Sequence, residues 1–195
     1  MNNWIERNIE YTLVDAESQF SIDFAGMKFS PAELDALQPK FERAAREMGR
    51  IEAGEIKNPD EKRKVTHFSD RKVYPQSELF ASVEAFAEQV RSGKITGETG
   101  RKFEAVVVNG IGGSALGPQL MQFAINGPYW NEKTDAARNG YLKLYFLDNT
   151  DSAEFADLSE VMDPETTLHL VISKSGGTQE TKNNMIAMEE LYAAR

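Results

Sequence analysis

Phe103-Glu104-Ala105-Val106-Val107-Val108, running straight into Asn109-Gly110-Ile111-Gly112-Gly113-Ser114-Ala115-Leu116-Gly117-Pro118, decides the fold. A short apolar, β-branched run that ends in glycines reads as a buried strand followed by a sharp turn. Two more runs of the same kind follow, Leu142 to Leu147 and Thr167 to Ile172. Helical patterns separate and follow them, over Ser114 to Phe123, Ser152 to Val161 and Thr178 to Tyr192. Strands that alternate with helices, with no hairpin turns between them, predict a parallel sheet with crossover helices from about residue 99 onward. In such a sheet, ligands are expected at the carboxyl ends of the strands.

Two loops leave those strand ends. In Gly110-Ile111-Gly112-Gly113, three glycines in four residues let the backbone turn tightly and approach a ligand that a Cβ would hold off. The helix behind them offers free N–H groups and a positive dipole end, which suit an anion. Ser114 is placed either to give its hydroxyl to a phosphate oxygen or merely to cap its own helix. The same residues match G-x-G-x-x-[GA] through Gly110, Gly112 and Ala115, which opens a nicotinamide-dependent dehydrogenase as one reading. That motif wants an acid about 20 residues on. Here the acid at the next strand end is Asp148, beyond an insertion holding Pro128, Tyr129 and Trp130. No lysine stands after Gly117 for a P-loop.

The third strand ends in Ser173-Lys174-Ser175-Gly176-Gly177-Thr178-Gln179-Glu180-Thr181. Hydroxyls, glycines and a lysine crowd one strand-to-helix turn, a composition able to saturate the oxygens of a phosphomonoester. An ordinary capped helix would account for Thr178 as the cap and Glu180 in the first turn, but not for Ser173, Ser175 and the double glycine.

Ahead of the sheet the chain reads as helical. Ser30-Pro31-Ala32-Glu33 is a capping box with proline at the first helical position. Leu34, Leu37, Phe41, Ala45, Met48 and Ile51 then follow at three- and four-residue steps, a stripe expected to pack into a core, with Pro39 placed to kink or split the helix. Ser77 with Leu79, Val83, Phe86 and Val90 announces another helix, ending near Arg91-Ser92-Gly93. Asn58-Pro59-Asp60-Glu61-Lys62-Arg63-Lys64 between them reads as a solvated charged stretch.

Composition narrows the function. The chain has 195 residues with 22 Lys and Arg against 31 Asp and Glu, so its net charge of −9 argues against nucleic acid or an anionic membrane as the main partner. The absence of Cys excludes disulfides, thiolate nucleophiles and zinc ribbons, and two isolated His leave little for a His-based metal site. No apolar run approaches a membrane span of about 18 residues. Met1 to Phe20, with Glu6, Glu10, Asp15 and Glu17, is wrong for a secretory or mitochondrial leader, so the expected setting is cytoplasmic.

Ser173-x-Ser175-Gly176-x-Thr178 after a parallel strand resembles the phosphate loop of sugar isomerase (SIS) domains. Taken with Gly110 to Pro118 and Gln179-Glu180-Thr181, it closely resembles the bacterial branch of the glucose-6-phosphate isomerase family. Ala53-Gly54-Glu55-Ile56-Lys57-Asn58-Pro59-Asp60-Glu61, with Arg63, His67 and Arg71, is similar to the segment ahead of that family's first sheet. The resemblance implies a helical region over 1–98 and an incomplete SIS domain over 99–195, the first part of a doubly wound parallel sheet, truncated and so ending in an apolar edge.

It implies interconversion of glucose 6-phosphate and fructose 6-phosphate, in glycolysis and gluconeogenesis, through a cis-enediolate and without a cofactor. Gly113 and Ser114 match the family's first substrate-binding loop, and Ser173, Lys174, Ser175, Gly176, Gly177 and Thr178 its phosphate loop. Glu180 matches an acid near the active site. Many members carry Asp where Ala115 stands and Phe-Thr in place of Gly176-Gly177; both differences suit the bacterial branch. The family's base, its ring-opening histidine and lysine, and its active-site arginine lie downstream of the second loop, beyond Arg195. The expectation is therefore an amino-terminal portion, inactive alone, from a protein that forms homodimers. The alternative is a self-sufficient, non-catalytic SIS-type module that binds a sugar phosphate. Neither His67 nor His169 falls in a family motif, and His169, inside a strand, is expected to be a satisfied core or rim histidine.

Overall fold

In the computed structural model, which describes residues 3–57 and 59–194, Ala105–Asn109 is the middle strand of a three-stranded parallel sheet. Asn58, at the head of the charged stretch, lies outside the described residues, as do Met1, Asn2 and Arg195. The chain forms two compact units, one up to Val73 and one from Tyr74 on.

The first unit holds α1 (Trp4–Glu10), the strands β1 (Thr12–Asp15) and β2 (Phe20–Asp23), α2 (Pro31–Glu52) and α3 (His67–Val73). The antiparallel pair β1–β2 is an addition to the helical reading of this region. Each strand is only four residues long, and both are almost wholly exposed, so neither carries the alternating pattern that betrays a half-buried strand. What fixes the hairpin is a small aromatic cluster at its base. Tyr11 is buried and meets Phe24 and Phe29 edge-on, with ring centroids 5.6 and 5.3 Å away. The Arg7 guanidinium lies 4.4 Å from the Tyr11 ring centroid and donates to the carbonyls of Ala25 and Phe29 at 2.9 and 3.1 Å.

Helix α2 starts as the capping box requires: the Ser30 hydroxyl accepts from Glu33 N at 3.3 Å, and the Glu33 carboxylate accepts from Ser30 N at 2.8 Å. The Ser30 N–H first, and the Ser30 hydroxyl, which donates to the same carboxylate at 2.8 Å, second, hold the Glu33 carboxyl below its usual range. Pro39 lies within the helix and does not split it. The apolar stripe behind the cap corrects the expectation of core packing. No residue of α2 is buried, and Leu37, Phe41 and Met48 are 37%, 49% and 49% exposed. Periodicity says which face of a helix is apolar; it does not supply the surface that covers it.

The second unit runs α4 (Glu78–Arg91), β3 (Ala105–Asn109), α5 (Gly113–Met121), β4 (Lys143–Leu147), α6 (Ser152–Val161), β5 (Thr167–Val171) and α7 (Gln179–Ala193). Ser77 caps α4 by accepting from Phe80 N at 3.1 Å. Helix α5 passes directly into a π-helical turn over Gln122–Asn126, so the helical stretch outruns the one read from sequence by three residues, to Asn126 instead of Phe123. The strand order is β4-β3-β5, all parallel, with Val107 opposite Tyr145 and His169. That order puts β3, every residue of which is buried, in the centre and leaves β4 and β5 as edges among the described residues.

Side chains alternate between the two faces of a sheet. On one face Val107 and Leu147 pack with Leu158 of α6, with Met162 just past its end and with Met188 of α7, and Tyr145, Phe155, Leu191 and Tyr192 close around them. On the other face Val106, Leu144 and Leu168 join Val83, Phe86 and Val90 of α4 around an apolar groove of about 980 Å³. The turn before β3 is fastened by Arg101, which pairs with Asp163 at 2.9 Å and Glu165 at 3.0 Å. No described helix is long and apolar enough to cross a membrane.

Candidate phosphate site at the strand ends

Neighbouring strands β3 and β5 carry the two loops, so both loops open at the same end of the sheet. They touch. A Cβ on Gly110 would lie 2.9 Å from Ser114 Cβ and 3.0 Å from the Ile172 carbonyl oxygen, which is why the first residue after β3 has none. Ile172 N donates to the Asn109 carbonyl at 2.8 Å, and Gly110 N donates to the Leu147 carbonyl at 3.3 Å. The ladder thus continues one step into each loop before the chains diverge.

In the first loop the N-cap of α5 is Gly112, which has no side chain to cap with. Ser114 is the second residue of the helix, half-buried, with its N–H given to the Ile111 carbonyl at 3.1 Å. The simple capping role open to Ser114 from sequence is therefore not the one it has.

In the second loop three hydroxyls converge. Ser173 Oγ and Ser175 Oγ lie 3.2 and 3.4 Å from Thr178 Oγ1. The same serine oxygens accept from the backbone: Gly176 N donates to Ser173 Oγ at 3.1 Å, and Gly177 N donates to Ser175 Oγ at 3.1 Å. The loop closes on itself because Gly176 takes a φ of 69°, a left-handed conformation that costs glycine nothing. Thr178 stands at the N-cap of α7 but makes no side-chain capping bond; its hydroxyl faces the two serines instead. The hydroxyls, the two glycine amides given to them and the first turn of α7 form a turn rich in hydrogen-bonding groups. Lys174 and Glu180 are exposed, one in the loop and one in the first turn of α7.

Charge is distributed unevenly over the three strand ends. The end of β4 is acidic: Asp148 accepts from Gln119 Nε2, and Asp151 caps α6. Partial burial pushes the Glu154 carboxyl above its ordinary range, and repulsion from Asp148 and Asp151 adds to this. This acidic group stands on the other side of β3 from the hydroxyl loop of β5.

His169 corrects one expectation: its Nε2 is buried without a hydrogen-bond partner among the described residues, so the ring is not satisfied. It lies on the core face of β5, 6.5 Å from the Tyr192 ring. Burial pushes its pKa below 6.5. His67 opens α3 in the first unit, beside Phe68. Among the described residues no group of three or more His, Cys, Asp or Glu is placed to hold a metal ion.

Sequence reading missed the floor of the site. Asn109, fully buried, donates from Nδ2 to the Thr181 carbonyl at 3.0 Å, and Asn184 Nδ2 donates to the Asn149 carbonyl at 2.8 Å. The one available signal was an amide at the end of an otherwise apolar strand.

Known proteins are similar to this chain in sequence and in fold. The family model described as phosphoglucose isomerase matches residues 43–194. A glucose-6-phosphate isomerase of Synechococcus elongatus is 38% identical across 97% of this chain and 36% of its own length. That of Thermosynechococcus vestitus is 42% identical across 90% of this chain and 34% of its own. The crystal structure of a glucose-6-phosphate isomerase from Chlamydia trachomatis superimposes with a TM-score of 0.60 at 26% identity, over 97% of this chain and 37% of that one. The chain thus spans about a third of the length of the relatives it matches. With the parallel sheet, the paired loops and most of its residues aligned to these proteins, the chain belongs to the phosphoglucose isomerase family.

Proposed function

We propose that this chain supplies the phosphate-binding part of an aldose–ketose isomerase that interconverts glucose 6-phosphate and fructose 6-phosphate. The observation that carries the reading is the convergence of Ser173, Ser175 and Thr178, with a threonine hydroxyl at a helix N-cap that is not spent on capping. In this reading the phosphate oxygens take hydrogen bonds from those hydroxyls and replace the serine oxygens as acceptors for the amides of Gly176 and Gly177, with Lys174 adding a positive charge. Gly113 and Ser114 face the sugar from the first loop. Residues 99–195 then form the opening part of a SIS domain behind a helical region over 1–98.

Moving a proton between C2 and C1 needs a carboxylate base and a positive charge beside the enediolate. None of the residues assigned here supplies that base. Glu180 is an active-site neighbour without a step of its own, and the proton-transfer groups belong to the two thirds of the relatives that this chain does not span. The whole protein is proposed to act as a homodimer in the cytoplasm, on a sugar phosphate rather than nucleic acid or membrane.

Calorimetric titration with glucose 6-phosphate and with glucose tests the reading. Ser175→Ala combined with Thr178→Ala should weaken the phosphorylated sugar at least tenfold and leave the neutral sugar unchanged. Equal affinity of the double variant and the parent for glucose 6-phosphate would remove the phosphate assignment.

A further inference from the structure

Asn109 is a polar residue where the rest of its strand is apolar. It is 0% exposed, its Oδ1 has no hydrogen-bond partner among the described residues, and neither does the buried Oγ1 of Thr181 next to its contact. A leucine would fill the same space without stranding an oxygen, and stranding a buried acceptor is costly. What leucine could not do is donate to the Thr181 carbonyl in the first turn of α7.

That bond has a mechanical meaning. Helix α7 is joined to β5 through the Ser173–Thr178 loop. Asn109 pins its first turn to the end of β3, and Asn184, one turn later, pins it to the Asn149 carbonyl just past the end of β4. Three attachments at three strand ends fix the helix axis and its rotation together. Asn109 also opens the first loop, and its own carbonyl receives the Ile172 amide at 2.8 Å. One residue therefore touches the origin of both loops.

We propose that Asn109 is a positioning residue that holds the Ser173–Thr178 loop at a fixed distance and rotation from Gly110–Ser114, seconded by Asn184. The inference rests on the phosphate reading of that loop for its consequence, but the mechanical claim can be measured without ligand.

Three variants are compared. Asn109→Leu removes the tether with little change of volume. Asn109→Asp has no hydrogen to donate when ionised and regains one when protonated. Val106→Ala removes buried volume from the same strand on the opposite face of the sheet, toward α4 and away from α7. Glucose 6-phosphate affinity is measured by calorimetry, and amide exchange at Gly176 and Gly177 by NMR. Asn109→Leu should weaken affinity about tenfold and accelerate exchange at both glycines. Val106→Ala should lower Tm, with affinity within about twofold.

The affinity of Asn109→Asp relative to the parent, taken at each pH so that titration of the ligand cancels, should recover as pH falls from 8 to 5. That of Asn109→Leu should stay flat. An Asn109→Leu chain with parental affinity and exchange overturns the proposal, and so does a Val106→Ala chain that loses affinity in step with its stability. Should Asn109→Leu not fold, Asn184→Ala and the Asn109→Asp pH series carry the same comparison. A parent chain with no affinity for glucose 6-phosphate would sink the phosphate reading, while the exchange comparison still decides whether Asn109 holds the loop.

Discussion

A Cβ on Gly110 would stand 3.0 Å from the carbonyl oxygen of Ile172, and that oxygen belongs to backbone leaving the neighbouring strand. It cannot swing aside as a flexible side chain could. Gly110→Ala must therefore push the two loops apart or strain both. An overpacking cost of about 1–3 kcal/mol is expected, read as a lowered urea midpoint with an unchanged slope. A midpoint equal to that of the parent would mean that the strand ends are looser than this contact implies.

Met188 anchors α7 to the core at 0% exposure, whereas Leu116, on α5, is 61% exposed. Met188→Ala is expected to cost about 2–5 kcal/mol and Leu116→Ala less than about 0.5 kcal/mol. Thermal melts of the two variants side by side check this. Similar losses from both would show that the face bearing Leu116 is covered in solution.

His169 gives the fold a dependence on acidity. Burial depresses its pKa below 6.5, so the unfolded chain takes up a proton that the folded chain resists. The resulting stability is complete above the unfolded value of about 6.5 and is lost as pH falls through the lower folded value. Melting temperatures of the parent should decline over that window. His169→Phe, which keeps a ring against Tyr192, should flatten this part of the profile; an unchanged decline would assign it to other groups.

Glu154 works in the opposite sense. Its folded pKa is raised above 4.5 by desolvation first and by Asp148 and Asp151 second, so its ionised form is penalised at neutral pH and the penalty fades as the pH drops. Glu154→Gln should raise Tm modestly at pH 7 and make no difference near pH 4. Much of the group is exposed, and the gain should shrink further in high salt.

Local signals carried far in this chain. The run Val106-Val107-Val108 before three glycines placed the central strand. The Ser30–Glu33 box started a helix at the residue it indicated, and the Ser152 to Val161 pattern matched α6 end to end. The hydroxyl-rich turn after β5 was legible for the same reason, since all its residues lie within one loop. The hairpin of β1 and β2 was not, because its strands are short, exposed and held by Tyr11, Phe24 and Phe29 from outside them.

The sequence by itself determined the class of fold, the two loops and the residues they carry, because strand runs, glycine turns and helix caps act over a few neighbouring positions. Only the tertiary structure decided that β3 lies between β4 and β5, that Gly110 meets Ile172, that His169 Nε2 has no partner among the described residues and that Asn109 reaches Thr181. Each of these depends on residues far apart in the chain. Their meeting is set by how whole faces of sheet and helix are buried, which no local pattern encodes.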